Sequence, residues 1–200
     1  MTITLPVIGA PSWGSPLNLA VSQIAHGGFV PTDQGLLAWN YDPAQCSSSA
    51  APTSGQLRLI RLPGLVSNQL ITAVRLHIAV APVTPTAGQN FVGLYDGNGT
   101  RVAVSADCTT AFTTTGEKSI PLTSAYNASL GTYYVGILAN AATPPSFSLC
   151  ASMSAATANI GLTAATCRFG NGPAGQTTLP ATVTMGSLVL SLNCTWVGVS

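Results

Sequence analysis

Few side chains in this sequence could move a proton or hold a metal: Asp33, Asp42, Asp96, Asp107, Glu117, His26, His77 and cysteines 46, 108, 150, 167 and 194. A nucleophile triad needs a histidine, an orienting acid and a Ser or Cys brought together. His77 lies between Leu76 and Ile78 in an alternating run, on the side of Arg75, where a half-exposed sheet histidine is expected. His26 precedes Gly27 at the end of a helical pattern, where imidazole suits the helix C-terminus. No Gly-x-Ser-x-Gly elbow and no His-Glu-x-x-His pair occurs. A glycosidase needs two carboxylates in one cleft; Asp96 and Asp107 are the candidates, but Asp96 belongs to a turn. Asp96-Gly-Asn-Gly-Thr100 also opens like a calcium loop, with Asp107 at the twelfth place. Arg101 stands where that loop requires glycine, so a hairpin turn is the better reading. The cysteines form no Cys-x-x-Cys pair, and two histidines complete no zinc pattern. An odd count at irregular spacing reads as free thiols of a reducing compartment, several of them buried, with one or two disulfides after release from the cell as the alternative. No catalytic, cofactor or metal residue is therefore assigned, and an enzyme is not expected.

Charge narrows the function further. Six Lys+Arg face five Asp+Glu, and charged residues make up 6% of the chain, against about 25% in ordinary domains. That balance gives no electrostatic footprint for nucleic acid and no polybasic patch for a membrane. The richest apolar stretch, Leu70 to Pro82, is interrupted by Arg75 and His77 and is too short to span as a helix. Met1 to Ala10 lacks the basic start of a secretory leader, so synthesis in the cytoplasm is expected, and the sequons at Asn98, Asn127 and Asn193 carry no weight. Thr, Ser, Asn, Gln and Gly must wet the surface instead of ions. Low net charge favours association, which suggests a β-rich protein working inside an assembly.

These side chains need elements to position them. Ser15 and Pro16 start a helix whose apolar face is Leu17, Ala20, Val21 and Ile24, closed by Gly27 and Gly28. About eleven residues are marginal alone in water, so this stripe must dock on something. Phe29 to Tyr41 reads as an ordered arm with one short strand, and the Ser/Ala/Pro-rich Cys46 to Gly55 as a linker. Strand signals then recur at sandwich spacing: Gln56–Leu62, Thr72–Val80, Asn90–Tyr95, Arg101–Ser105, a short Lys118–Leu122, Thr132–Ala139, Ser146–Ala151, Val183–Leu192 and Cys194–Val199. In Thr72–Val80, Val74, Leu76, Ile78 and Val80 point one way. Thr132–Ala139, apolar on both faces, is expected to be central. Ser152 to Pro180 fits no class, and no second helix is evident. Trp13, Trp39, Tyr41, Tyr133, Tyr134 and Trp196 suit either a sugar-stacking platform or a core. The fold expected is all-β, an antiparallel jelly-roll-like β-sandwich over residues 56–200, preceded by an N-terminal arm (1–45) with one short helix and a linker (46–55).

Several blocks resemble a known class of proteins. Ala10-Pro-Ser-Trp13-Gly14-Ser-Pro16-Leu17-Asn18 looks like the opening of many minor tail and fibre-like virion proteins of tailed bacteriophages that infect actinobacteria. Ala87-Gly-Gln-Asn-Phe91-Val-Gly-Leu-Tyr95-Asp, Gly131-Thr-Tyr133-Tyr134-Val-Gly-Ile-Leu-Ala-Asn140, Pro144-Pro145-Ser-Phe147, Thr178-Leu-Pro180-Ala-Thr-Val and the closing Trp196 are similar to a module of such proteins. The resemblance implies a structural virion component assembled in the host cytoplasm, a homotrimer contacting other capsid or tail proteins. It would act as a minor tail or capsid-decorating module, or alternatively as an adhesin for host surface glycans. On that reading Trp13, Leu17, Val21 and Ile24 anchor and oligomerise the chain.

Overall fold

The computed structural model describes residues 29–63, 65, 68–150 and 154–200. The expected anchoring residues Trp13, Leu17, Val21 and Ile24, and the helix that would carry them, lie outside this set. The described chain is a β-sandwich of two antiparallel sheets. Its strands are β1 (Ala38–Trp39), β2 (Ser48–Ala50), β3 (Arg58–Leu62), β4 (Gln69–Val80), β5 (Val83–Pro85), β6 (Phe91–Asp96), β7 (Arg101–Val104), β8 (Gly116–Ala128), β9 (Tyr133–Leu138), β10 (Ala141–Thr143), β11 (Ser146–Leu149), β12 (Phe169–Asn171), β13 (Val189–Leu190) and β14 (Gly198–Val199). Two four-residue helices, α1 (Thr109–Phe112) and α2 (Ala155–Ala158), and four 3-10 turns complete the regular elements among the described residues.

The first sheet is built on β4. β8 runs along one edge of it, while β14 and β11 share the other and carry β1 and β2 outside them. The second sheet runs β13-β12-β3-β9-β6-β7; β5 and β10 form a separate two-stranded ladder. Alternation in β4 sends Val74, Leu76 and Ile78 inward, where they are fully buried with Phe147 and Val199 against Ile60, Leu62, Val92, Leu94, Val135 and Ile137 of the second sheet. Phe112 of α1 enters this core and meets Phe147 edge-to-face, with ring centroids 5.7 Å apart. Burying each such side chain is worth about 1.5–3 kcal/mol. The core between the sheets sets which residues of β4 face out.

The second sheet is apolar on both faces, and its outer face is also covered. Leu57, Leu59, Tyr95, Tyr134 and Leu138 lie beneath Cys167, Leu179, Val183, Met185 and Leu188. β9 is the central strand expected from its composition, and all six of its residues are buried. Gly136 explains how Tyr95 fits beside it: a Cβ there would stand 2.6 Å from Tyr95 Cε2.

Some expectations are revised. The strand expected as Lys118–Leu122 extends over Gly116–Ala128. Its far half is not apolar, with Thr123, Ser124 and Asn127 exposed, because it is an edge strand with a wet side. Between the pairs Ala73↔Pro121 and Ile71↔Tyr126, residues 122–125 bulge out of the ladder. There Leu122 bridges Ser105, and Thr123 Oγ1 donates to the Val104 carbonyl at 2.9 Å. The bulge carries β8 across the side of the sandwich to the edge of the second sheet. Val80, expected inside with Ile78, is exposed because β4 outruns the core where its pairing with β11 shifts register. Within the expected linker, Ser48–Ala50 pairs with β11 as β2. The unassigned stretch Ser152–Pro180 contains α2 and β12. Of Val183–Leu192 only Val189–Leu190 is strand, since a 3-10 turn at Met185–Ser187 packs Met185 over the second sheet instead.

Candidate functional site

Because Val74, Leu76 and Ile78 point inward, Arg75 and His77 must stand on the outer face of the first sheet. Antiparallel register sets Glu117 of β8 directly opposite His77, two pairs from Arg75 and on the same face. Arg75 Nη1 and Glu117 Oε1 meet at 2.6 Å, and Arg75 Nε donates to Ser200 Oγ at 3.1 Å. On the other flank, His77 Nδ1 and Ser148 Oγ of β11 share a hydrogen bond of 2.8 Å whose donor depends on the imidazole tautomer. Arg75, His77, Glu117 and Ser148 floor a cleft of about 510 Å³, walled by Gln34, Leu36, Pro43, Cys46 and Trp196. Trp196 is fixed by donating Nε1–H to the Tyr41 carbonyl at 2.9 Å and by packing with Leu36 and Trp39.

The cleft offers hydrogen bonds and charge more than bond-breaking power. In a triad the imidazole joins the hydroxyl through one nitrogen and a carboxylate through the other. Here Glu117 is taken up by Arg75, and Ser148 sits in mid-strand, where its carbonyl accepts Trp196 N–H at 2.9 Å. Cys46 is no activated thiolate: burial pushes its thiol up, against the opposing hydrogen bond from Tyr41. The arrangement suits recognition of a small polar molecule against an apolar wall.

The candidate acids are not brought together. Asp96 ends β6, and its Oδ1 accepts from the backbone N–H of Asn98 and Thr100, both at 2.9 Å. Asp107 lies at the other end of the hairpin, accepting from Asn90 N at 3.2 Å and from the Thr109 hydroxyl at 2.9 Å. Six strand rises of about 3.3 Å put them roughly 20 Å apart, too far for paired glycosidase acids. Burial alone would raise the Asp107 carboxyl; bonds from the Thr109 hydroxyl and from the Asn90, Gly88 and Thr109 amides outweigh it and hold the group below its ordinary value. The calcium-like segment is the β6–β7 turn itself, and Val183 N–H donates to the Gly99 carbonyl at 2.8 Å. Among the described residues no group of three His, Cys, Asp or Glu side chains could hold a metal. His26 and Trp13 lie outside them.

The aromatic residues divide. Trp39, Tyr41 and Trp196 cluster under the cleft. Tyr133 and Tyr134 fall on opposite faces of β9, one in each core. Sequence reasoning missed two groupings. One is a groove of about 650 Å³ near Leu130 that places Arg61 and Arg168 together, an outcome of β3 pairing with β12 inside a stretch without periodicity. The other surrounds Tyr41, whose hydroxyl donates to the Cys194 carbonyl at 2.5 Å, accepts from Cys150 N–H at 3.0 Å and lies 3.8 Å from Cys46 Sγ. Only long-range pairing brings those cysteines together.

Arg58 is the third surprise. It points into the core, donating to the Ala51 carbonyl at 2.9 Å and the Thr195 hydroxyl at 3.4 Å, while its Nε has no partner. Desolvation lowers it to about 10.

The site and fold define a β-sandwich with a polar surface cleft. Compared with protein-family models and with curated proteins, the chain matches none.

Proposed function

We propose that this chain is a non-enzymatic structural protein of a tailed-phage virion, a surface-displayed trimeric minor tail or capsid-decorating module. One observation carries the reading beside the sequence resemblance: the acids hold the chain together. Asp33 caps Val30 N–H at 2.9 Å, Asp42 caps Ala44 N–H at 2.9 Å, Asp96 and Asp107 cap their turns as described, and Glu117 binds Arg75. Cations do likewise, with Arg61 donating to the Thr166 carbonyl at 3.2 Å and Arg101 to that of Leu179. Ionisable groups spent on main-chain caps stabilise a scaffold, and a hydroxyl- and amide-rich exterior suits packing in symmetric copies.

Light scattering of the purified full chain tests the trimer, and antibody labelling of phage particles tests display. The expected mass is three times that of one chain, falling to one in a Val21→Asp/Ile24→Asp double variant. A monomer, or particles that do not bind the antibody, would refute the proposal.

The cleft favours a second reading, adhesion to host surface glycans. Arg, His, Glu and Ser side chains beside Trp196, Leu36 and Pro43 present the polar groups and apolar wall that a saccharide uses. Binding on a glycan array that is lost in His77→Ala supports it, and an array blank for the wild type removes it.

A further inference from the structure

Leu149, the last residue of β11, and Thr195 are antiparallel bridge partners. The next pair outward sets Cys150 directly opposite Cys194. Cys150 N–H donates to the Cys194 carbonyl at 3.4 Å, and on the other side of the bridge Trp196 N–H donates to the Ser148 carbonyl at 2.9 Å, so the register is held from both directions. Tyr41 clamps the same pair through its hydroxyl, bonded to the Cys194 carbonyl and to Cys150 N–H. Opposed hydrogen-bonded residues of an antiparallel pair have Cα atoms about 5.5 Å apart with side chains on one face. A disulfide accepts Cα separations of roughly 4.4–6.8 Å. Cys194 is buried and Cys150 half-buried, so the pair has one accessible member.

We propose that Cys150 and Cys194 form a cross-strand disulfide when the protein meets an oxidising pool of small-molecule disulfides. The Cys150 thiolate attacks one sulfur of oxidised glutathione, breaking its S–S bond, releasing one glutathione thiolate and leaving a mixed disulfide. Cys194, having lost its proton to solvent, attacks the Cys150 sulfur and releases the second glutathione. Two cysteine thiols are oxidised by two electrons, one glutathione disulfide is reduced to two thiols, and the two protons end on those thiols. Burial, aided by Cys150, pushes the Cys194 thiol up to about 12, so the closing step accelerates as pH rises. The linked loop holds α2, β12 and the residues Leu179, Val183, Met185 and Leu188 that cover the second sheet. Oxidation therefore fastens that cover to the first sheet, whether or not the chain belongs to a virion.

The test uses the full chain, purified reduced, then exposed to oxidised glutathione, alkylated and analysed by intact and fragment mass spectrometry. The expected product has lost two hydrogens, carries two fewer alkyl groups and yields a peptide pair linked through Cys150 and Cys194. It forms faster at mildly alkaline than at neutral pH and melts about 5–10 °C higher than the reduced protein. Cys194→Ser should stop at the mixed disulfide on Cys150. Five alkylated cysteines after exposure, or a link joining Cys46 to Cys150, would overturn the proposal.

Discussion

The two sheets treat their outer faces in opposite ways. The second buries Leu57, Leu59, Tyr95, Tyr134 and Leu138 beneath the segment that follows β11, whereas the first turns Arg75, His77 and Glu117 to solvent. A sheet covered on both sides is apolar throughout; a sheet covered on one side alternates. The outward-facing charges therefore sit on the first sheet, and the additional buried layer on the second.

The sharpest test of that contrast is a pair of leucines. Leu59→Ala, beneath the cover, should cost about 3–5 kcal/mol in urea unfolding. Leu70→Ala, on the exposed side of β4, should cost less than about 0.5 kcal/mol. Equal losses would erase the distinction between the sheets.

Arg58 belongs to the buried side and should respond next most strongly. Arg58→Ala leaves the Ala51 carbonyl and Thr195 hydroxyl without their donor and opens a cavity, a loss of about 2–3 kcal/mol. Arg58→Met refills the space without a desolvated charge and should stay within about 1 kcal/mol of wild type, on either side. A Met variant as weak as the Ala variant would show that the guanidinium's bonds outweigh its desolvation.

A smaller, pH-dependent effect is expected at Asp107. Its carboxyl is held below the unfolded value, so its contribution is complete above the ordinary carboxylate range and is lost as pH falls through the folded value. Thermal melts should show wild type exceeding Asp107→Asn near neutrality, with the gap closing in acid. The smallest effect belongs to the open sheet: a double-mutant cycle on Arg75 and Glu117 should give at most about 1 kcal/mol, reduced by salt.

Legibility in the sequence follows the same division. β9 and the β6–β7 hairpin declare themselves because an all-apolar run and an Asp-Gly-Asn-Gly turn encode their structure locally. β4 shows its inward face by alternation. β2 is opaque: Ser48–Ala50 is extended because β11 offers it a partner, not because Ser and Ala prefer a strand. The length of β8 is hidden for a similar reason, as is the meeting of Cys150 with Cys194. Of the cleft, the outward pair Arg75 and His77 could be read from periodicity, but Glu117 and Ser148 arrive through strand pairing.

The bulge at 122–125 has a consequence for crowding. By bringing β8 to the margin of β7, it covers the end of β7 with the Ser105–Leu122 bridge and the Thr123 hydroxyl, where free amides and carbonyls could have recruited a foreign chain. On the opposite flank the outermost strands are β1, β2 and β13, of two, three and two residues, too short to seed fibrillar growth. In a polypeptide so poor in like-charge repulsion, the rest of β8 is then the long margin at which crowded copies would meet.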